Sequence, residues 1–510
     1  MLNTESLILS PREAFIAEQQ WRVVKRSVDA RQRELRVHLT ILTDENGKPI
    51  PKDAPIPLYA PPVFQDVHQA ERSVVIIGAG PAGLFAALTL IEHGIKPIIY
   101  ERGKQVSERK KDIAQLNRNV SLNAESNYCF GEGGAGTFSD GKLFSRSKKR
   151  GNMQRVMELF HYFGAPDTVL YETHAHIGSD KLPGIIRAMR ECIIQHGGEI
   201  HFETCVTSLK NFKFQNSNSK FETINHKFEI INAPIILAIG HSAHDTYRML
   251  FDEGVALQTK GFAMGVRVEH PQTLINRLMY HTTDVIYAGN ASYSLVTQVG
   301  GRGVYSFCMC PGGFVVPAVS EPNGLVVNGM SPSHRGSHWA NSGMVVELHP
   351  EDLPERFNQY GVLSMMKFQE AMERRAYAEA GNSFIAGAQR MKDFVDGKTS
   401  RNIPPSSYLP GVQVSRLDQW LPPFVSNRLR KGFGIFGKNA RGFLTNDAVV
   451  IGVETRTSSP LRIPRDIELL HHVMLKGLYP CGEGAGYAGG IVSSAIDGER
   501  CAEALAAQCQ

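Results

Sequence analysis

Glycine recurs at the spacing G-x-G-x-x-G three times in the chain: Gly78-Gly80-Gly83, Gly131-Gly133-Gly136 and Gly432-Gly434-Gly437. A turn of this kind can present backbone N–H groups and a helix N-terminus to a phosphate. The pattern is short enough to arise by accident, so its context decides. Only the first set follows an apolar run and opens an apolar helix. The third follows Arg428-Leu429-Arg430-Lys431, which is no buried strand. In the first set, Gly78 permits a tight turn and Gly80 lets a pyrophosphate approach the backbone. Gly83 lets the helix pack close to the strand, with Ala79, Pro81 and Ala82 completing the turn. Glu101 falls 23 positions after Gly78, at the end of the next apolar run. Its carboxylate can accept both hydroxyls of an adenosine ribose, and it would repel a 2′-phosphate. The chemistry expected is dinucleotide binding, with NADP disfavoured.

Other reactive side chains are scattered. The second glycine set, including Gly133 and Gly134, can form a nest of N–H groups near the same ligand, or an ordinary glycine loop. Ser139, Asp140 and Lys142 follow it directly. Lys142 can hydrogen-bond the ligand or an acidic substrate, or sit on the surface. Cys308 and Cys310 share one face if they lie on a regular strand. They are then either a dithiol at the site or two small core residues. His241, after Gly240, is the candidate general acid/base, because histidine titrates near neutral pH. A purely structural histidine is the alternative. His244, Arg267, Glu269 and His270 are expected near strand ends at a domain junction. Arg302, Arg335 and Arg456 can clamp a carboxylate, or form surface pairs. No grouping has zinc spacing, and neither G-x-S-x-G nor a P-loop lysine motif occurs.

Composition narrows the class. The chain has 510 residues, 42% hydrophobic and 21% charged, with formal net charge +5. That charge is too mild to argue for nucleic acid, which needs a clustered basic face. Eight cysteines without a C-x-x-C pair predict a reducing, cytoplasmic setting. The N-terminus lacks the basic and apolar regions of a signal peptide. Residues 74–91 run 18 positions without a charge, but a Gly-Ala-Gly-Pro turn interrupts them. Strand and helix are expected there, with no membrane span.

The elements that must position these residues can be read from periodicity. The spacing predicts strands over Ser73–Ile77 and Lys96–Tyr100, joined by a helix as one βαβ unit. A helix is expected over Leu182–Gln195, ended by Gly197-Gly198, then a strand over 199–204. A polar hairpin over 211–225 and an apolar strand over 235–239 follow. Val206 and Gly240 lie just after predicted strands and join the expected dinucleotide contacts. Residues 255–435 read as strand-rich at first, then as one amphipathic helix over 363–380 and an irregular proline-rich stretch over 404–423. At the start, Ser10, Pro11 and Glu13 spell a helix cap. Alternation from Leu35 to Ile41 predicts a half-buried strand, and six prolines between Pro49 and Pro62 predict a stiff linker. The basic run KRSVDARQR has no interleaved aromatics, so a solvated face is expected there in preference to an RNA patch.

Two stretches carry a resemblance. Glu101-Arg102-Gly103, and 477–505 (GLYPCGEGAGYAGGIVSSAIDGERCAEAL), resemble FAD-binding proteins of the glutathione-reductase structural class. The resemblance implies FAD, with Gly482-Glu483 at the flavin ribitol. Glu483 stands where that class usually has Asp. Gly489, Gly490 and Ile491 would open a helix toward the flavin, and its dipole end can stabilise negative charge on reduced flavin. Longer motifs resemble the uncharacterised FAD-dependent dehydrogenases of bacteria: NYCFGEGGAGTFSDGKLFSR (127–146), LAIGHSAHDTY (237–247), FAMGVRVEHP (262–271), GRGVYSFCMCPGG (301–313) and GVETRTSSP (452–460). VVKRSVDAR (23–31) fits the N-terminal module of that family.

The expected fold class is therefore α/β. A small N-terminal α+β module and linker (1–70) precedes a Rossmann-type, discontinuous FAD-binding domain (71–254 and 436–510). An α+β substrate domain (255–435) is inserted into it. The expected activity is an FAD-dependent oxidoreductase acting on a small organic molecule, with NAD(P)H or a protein as electron donor. A flavin-dependent RNA-modifying enzyme and a non-catalytic redox sensor are the alternatives. No membrane or nucleic-acid partner is expected.

Overall fold

The computed structural model describes residues 2–144, 151–209, 213–216, 221–223 and 234–508. A five-stranded sheet organises the nucleotide-binding unit. Its order is Leu478–Pro480, Ile235–Leu237, Ser73–Ile77, Lys96–Tyr100 and Glu199–His201, and every pair is parallel. Parallel strands need cover on both faces, and their apolar sequences suit that burial. Helix Pro81–Glu92 buries all ten residues from Ala82 to Ile91. Such a helix is apolar all round because other elements enclose it. Helix Ile491–Gln508 packs against it so closely that a Cβ on Gly498 would lie 2.1 Å from the Ala82 carbonyl oxygen. The charge-free run 74–91 is thus a buried strand and helix. Among the described residues, no helix is long and apolar enough to cross a membrane.

The strand expected over 199–204 divides. Glu203 adopts φ 52°, which breaks the extended chain, and Thr204–Ser208 leaves for a separate antiparallel sheet. Its partners are Lys213–Asn216 and Phe221–Thr223. Much of the hairpin expected over 211–225 lies outside the described residues.

The middle of the chain forms a seven-stranded sheet. Its order is Val296–Val299, Arg302–Cys310, Trp339–Leu348, Phe262–Pro271, Val449–Glu454, Ala386–Arg390 and Val412–Val414. Val449–Glu454 pairs with Phe262–Pro271 on one side and Ala386–Arg390 on the other. The boundary expected at residue 435 is therefore corrected. The middle unit keeps the chain beyond residue 450, because a central strand cannot leave without unpairing two neighbours. Helices Ser364–Glu379 and Pro423–Asn439 add Phe368, Met372, Leu429, Phe433 and Phe436 to its core. The second of these helices was not expected, and it contains the third glycine set. That set is interior helix and forms no phosphate turn.

The N-terminal module is a three-stranded antiparallel sheet, in the order Asn3–Leu9, Arg36–Thr43 and Val23–Asp29, with helix Pro11–Gln20 across it. The cap is a full capping box. Ser10 accepts from the Glu13 N–H, and the Glu13 carboxylate accepts from the Ser10 N–H at 2.9 Å. Arg26 fastens the module to the rest of the chain through Glu172 at 2.7 Å and the Tyr287 carbonyl at 3.3 Å. Val67 packs in the core of the nucleotide-binding unit, so that unit begins a few residues before 71.

Candidate functional site

A cavity of about 260 Å³ runs from the C-terminal ends of the parallel strands to the middle sheet. Ligand sites of open α/β sheets lie at this edge. The first glycine turn lines it, and the geometry fits the roles read from sequence. Gly78 has φ 105°, and a Cβ there would lie 2.4 Å from the Ala238 carbonyl oxygen. A Cβ on Gly83 would lie 2.0 Å from the Gly78 carbonyl oxygen. A Cβ on Gly80 would meet nothing closer than Gly134 Cα at 4.0 Å, so that turn stays open to a phosphate. No side chain caps helix Pro81–Glu92 at Gly80, which leaves its first-turn N–H groups for a ligand.

Glu101 lines the same cavity, but its carboxylate does more than face a ribose. It is buried and accepts from three backbone N–H groups: Ala79, Gly103 and Gly131, each at 2.9 Å. It joins the first glycine turn to the second glycine loop. Arg109, from helix Val106–Asn117, completes that loop from the other side. Its guanidinium donates to the carbonyls of Asn127 at 2.7 Å, Tyr128 at 3.0 Å and Glu132 at 2.8 Å. Complete burial pushes Arg109 down to about 10, still charged at neutral pH. Sequence reasoning missed Arg109, because nothing in an amphipathic helix distinguishes a buried arginine from a solvated one.

The loop so held brings Gly134 and Gly136 to the cavity, and Gly133 donates its N–H to the Ala79 carbonyl at 2.8 Å. Ser139 lines the cavity too, with its hydroxyl donating to the Gly136 carbonyl. Arg102 borders the other end. It is paired with Glu125 and Asp245 and stacked 4.3 Å over Phe130. Val206 and Gly240 also line it, whereas Ala79, Gly83, Gly133 and Gly482 stand behind the wall. From the far end of the chain come Glu483, Gly489, Gly490 and Ile491. Asp497 holds this segment, accepting from the Gly482 N–H at 2.8 Å and from Arg465 at 2.6 and 2.9 Å. His241 Nδ1 lies 3.4 Å from Glu483 Oε2, so two expected site residues form one pair.

Lys142, Cys308 and Cys310 meet at the end of the cavity beside the middle sheet. Lys142 Nζ is 3.1 Å from Asp140 and 3.6 Å from the Cys310 sulfur. The same-face argument for the two cysteines does not hold. The register shifts between Phe307 and Cys310, and Cys308 has φ 43°. Cys308 opens onto the cavity and Cys310 is buried. Enclosure by the surrounding protein pushes the Cys308 thiol up to about 12, which keeps it protonated. Cys509 lies outside the described residues.

The expected histidine–arginine cluster does not form. Arg267 is buried against Glu454 at 3.0 Å, and His270 bonds the Phe443 carbonyl at 2.9 Å. Glu269 is buried and bound by Ser407. His244 is buried beside Gln369. His270 falls on the opposite face of strand Phe262–Pro271 from Arg267 and Glu269, and each of the three is taken by a partner of its own. Of the three arginines, Arg302 pairs with Asp352 and Glu351. Arg335 pairs with Asp140, and Arg456 lines the cavity but is held by Glu373.

Turn, uncapped helix, acid and returning segment together define a dinucleotide-binding protein. Residues 71–126 match the model of the FAD binding domain, and residues 261–457 match that of the FAD-dependent protein, C-terminal domain-like. The chain belongs to this FAD-dependent protein family. A protein of Clostridium beijerinckii described as "Uncharacterized protein" is 39% identical over 499 residues, covering 94% of this chain and 91% of that one. Among solved structures, a geranylgeranyl bacteriochlorophyll reductase-like protein from Thermoplasma acidophilum is 11% identical with a TM-score of 0.34, over 86% of this chain and 79% of that one. The open conformation of a flavocytochrome c3 fumarate reductase is 10% identical with a TM-score of 0.31, over 86% and 79%. Likenesses at that level carry no argument. The family match ending at residue 457 agrees with the later boundary seen in the sheet.

Proposed function

We propose that the protein is an FAD-dependent oxidoreductase acting on a small organic substrate. The observation that carries this reading is the continuity of the cavity, from Gly80 and Glu101 to Lys142, Cys308 and Arg456 of the junction with the middle sheet. A cofactor held at the first end leaves the second for a reactant. Bound FAD supplies hydride chemistry that no side chain can perform. The chain supplies position and proton transfer. The turn at Gly78–Gly83 and the first helical N–H groups hold the pyrophosphate, and Glu101 stands at the adenosine end. Glu483 orients His241 through Nδ1, which leaves Nε2 to exchange a proton with substrate. Lys142 and Arg456 are the cations at the substrate end. Cys308 and Cys310 serve as wall, not as a dithiol.

NAD(P)H or a protein is the proposed electron donor, and a reducing cytoplasm the proposed setting. Two of the four cations in the basic run give an RNA substrate no support: Arg26 is paired with Glu18 and Glu172, and Arg31 with Asp29. Purified protein should be yellow and release FAD on denaturation; a colourless protein that refuses FAD would refute the reading. Anaerobic NADH or NADPH should bleach the flavin, and loss of bleaching without effect on FAD content would exclude that donor. Turnover over a metabolite panel separates an enzyme from a redox sensor.

A further inference from the structure

Charge is unbalanced at the substrate end of the cavity. Asp140 is buried, and both its oxygens are taken by Arg335: Nη2 at 2.8 Å and Nε at 3.2 Å. Lys142 Nζ shares the same carboxylate at 3.1 Å. Two cations therefore divide one anion. Among the described residues, the neighbouring arginines have counter-ions of their own. Arg267 sits 3.5 Å from the Cys310 sulfur and has Glu454 as its own counter-ion. Arg456 has Glu373. Burial and the nearby Arg335 push His176 down to about 4, so it is neutral at physiological pH. Among the described residues, Lys142 and Arg335 against Asp140 leave one positive charge at this end of the cavity. An anionic ligand reaching it gains a charge-assisted hydrogen bond.

The excess sits on the cavity wall. Lys142 lines the cavity, and its side chain keeps 36% exposure while Asp140 beneath it keeps 3%. An ammonium has three N–H donors. Asp140 and Cys310 engage two of them.

We propose that the substrate is a carboxylate, bound through a charge-assisted hydrogen bond from Lys142 Nζ, with Asp140, itself fixed by Arg335, holding that ammonium in place. This rests on the reading that FAD and a substrate share the cavity. The carboxylate completes the third donor of Lys142 and balances the charge at the cavity wall.

The test uses the FAD-loaded protein and the visible flavin spectrum, with acetate and benzoate as probes and acetamide and benzamide as their neutral isosteres. Carboxylates should perturb the spectrum saturably, with a preference of about tenfold or more over the amides. Lys142→Met should lose that preference while keeping its FAD affinity within about threefold, since the lost bond is one to substrate. Equal binding of acid and amide by the unaltered protein, or no perturbation by either acid, would overturn the proposal without needing a variant. Loss of FAD from a folded Lys142→Met protein would assign the ammonium to the cofactor instead. A tenfold gain in carboxylate affinity in Cys310→Ser would place the compensating charge on that sulfur, and would also overturn it. A protein that never holds FAD would defeat the oxidoreductase reading, a separate outcome.

Discussion

Glu101 binds structure as well as ligand, and its substitutions should show both. An amide at this position turns an NH₂ group toward backbone donors, so at least one of the three N–H bonds is lost. Glu101→Gln should therefore destabilise the protein even without FAD, by about 2 kcal/mol or more, and weaken FAD binding as well. Denaturant titration of the apoprotein checks this; unchanged stability would confine Glu101 to the ribose. A second acid gives a pH signature. Burial pushes Glu499, beside Arg155, up to about 7 from an ordinary 4.5. The folded state favours its neutral form, so its contribution is present below pH 4.5 and is lost as pH rises to 7. Across that window the wild type should lose roughly 3 kcal/mol relative to Glu499→Gln. Parallel pH profiles of unfolding for the two proteins would refute the assignment.

At the scale of elements, two helices in backbone contact control the site. Gly498 of helix Ile491–Gln508 meets Ala82 of helix Pro81–Glu92, where a side chain has no room. Gly498→Val should push the helices apart, shift the turn at Gly80 and abolish FAD retention through gel filtration. The capping box is a milder case. Ser10→Ala should cost about 1 kcal/mol, felt as easier proteolysis of the N-terminal module with FAD content unchanged. These elements differ in how visible they were beforehand. The βαβ unit and the cap could be read because their signals are local: apolar runs, a glycine turn, Ser10 with Glu13. Helix Pro423–Asn439 could not, because its three glycines speak against a helix, and only packing by Leu429, Phe433 and Phe436 overrides them. The bond from Glu101 to Gly131 spans 30 positions and left no periodic trace. The same holds for the sharing of Asp140 between Lys142 and Arg335, 195 positions from Asp140.

At the scale of the whole molecule, the nucleotide sheet closes only when distant parts of the chain meet. Ile235–Leu237 lies between Ser73–Ile77 and Leu478–Pro480. A chain ended after Pro460 would lose that edge strand and the helix covering Pro81–Glu92. It should bind no FAD and aggregate, as absorbance at the flavin bands and light scattering would report. Order of synthesis gives the same sheet a history. Ser73–Ile77 and Lys96–Tyr100 leave the ribosome some 380 residues ahead of Leu478–Pro480. At about 5–20 residues per second, they wait roughly 20 to 75 seconds for their last partner. During that interval the face of helix Pro81–Glu92 that meets helix Ile491–Gln508 stays bare, although Phe160 and helix Leu182–Gln195 can already cover its other side. That face should stay exposed until translation is nearly complete, and FAD should be retained only after the final helix has emerged.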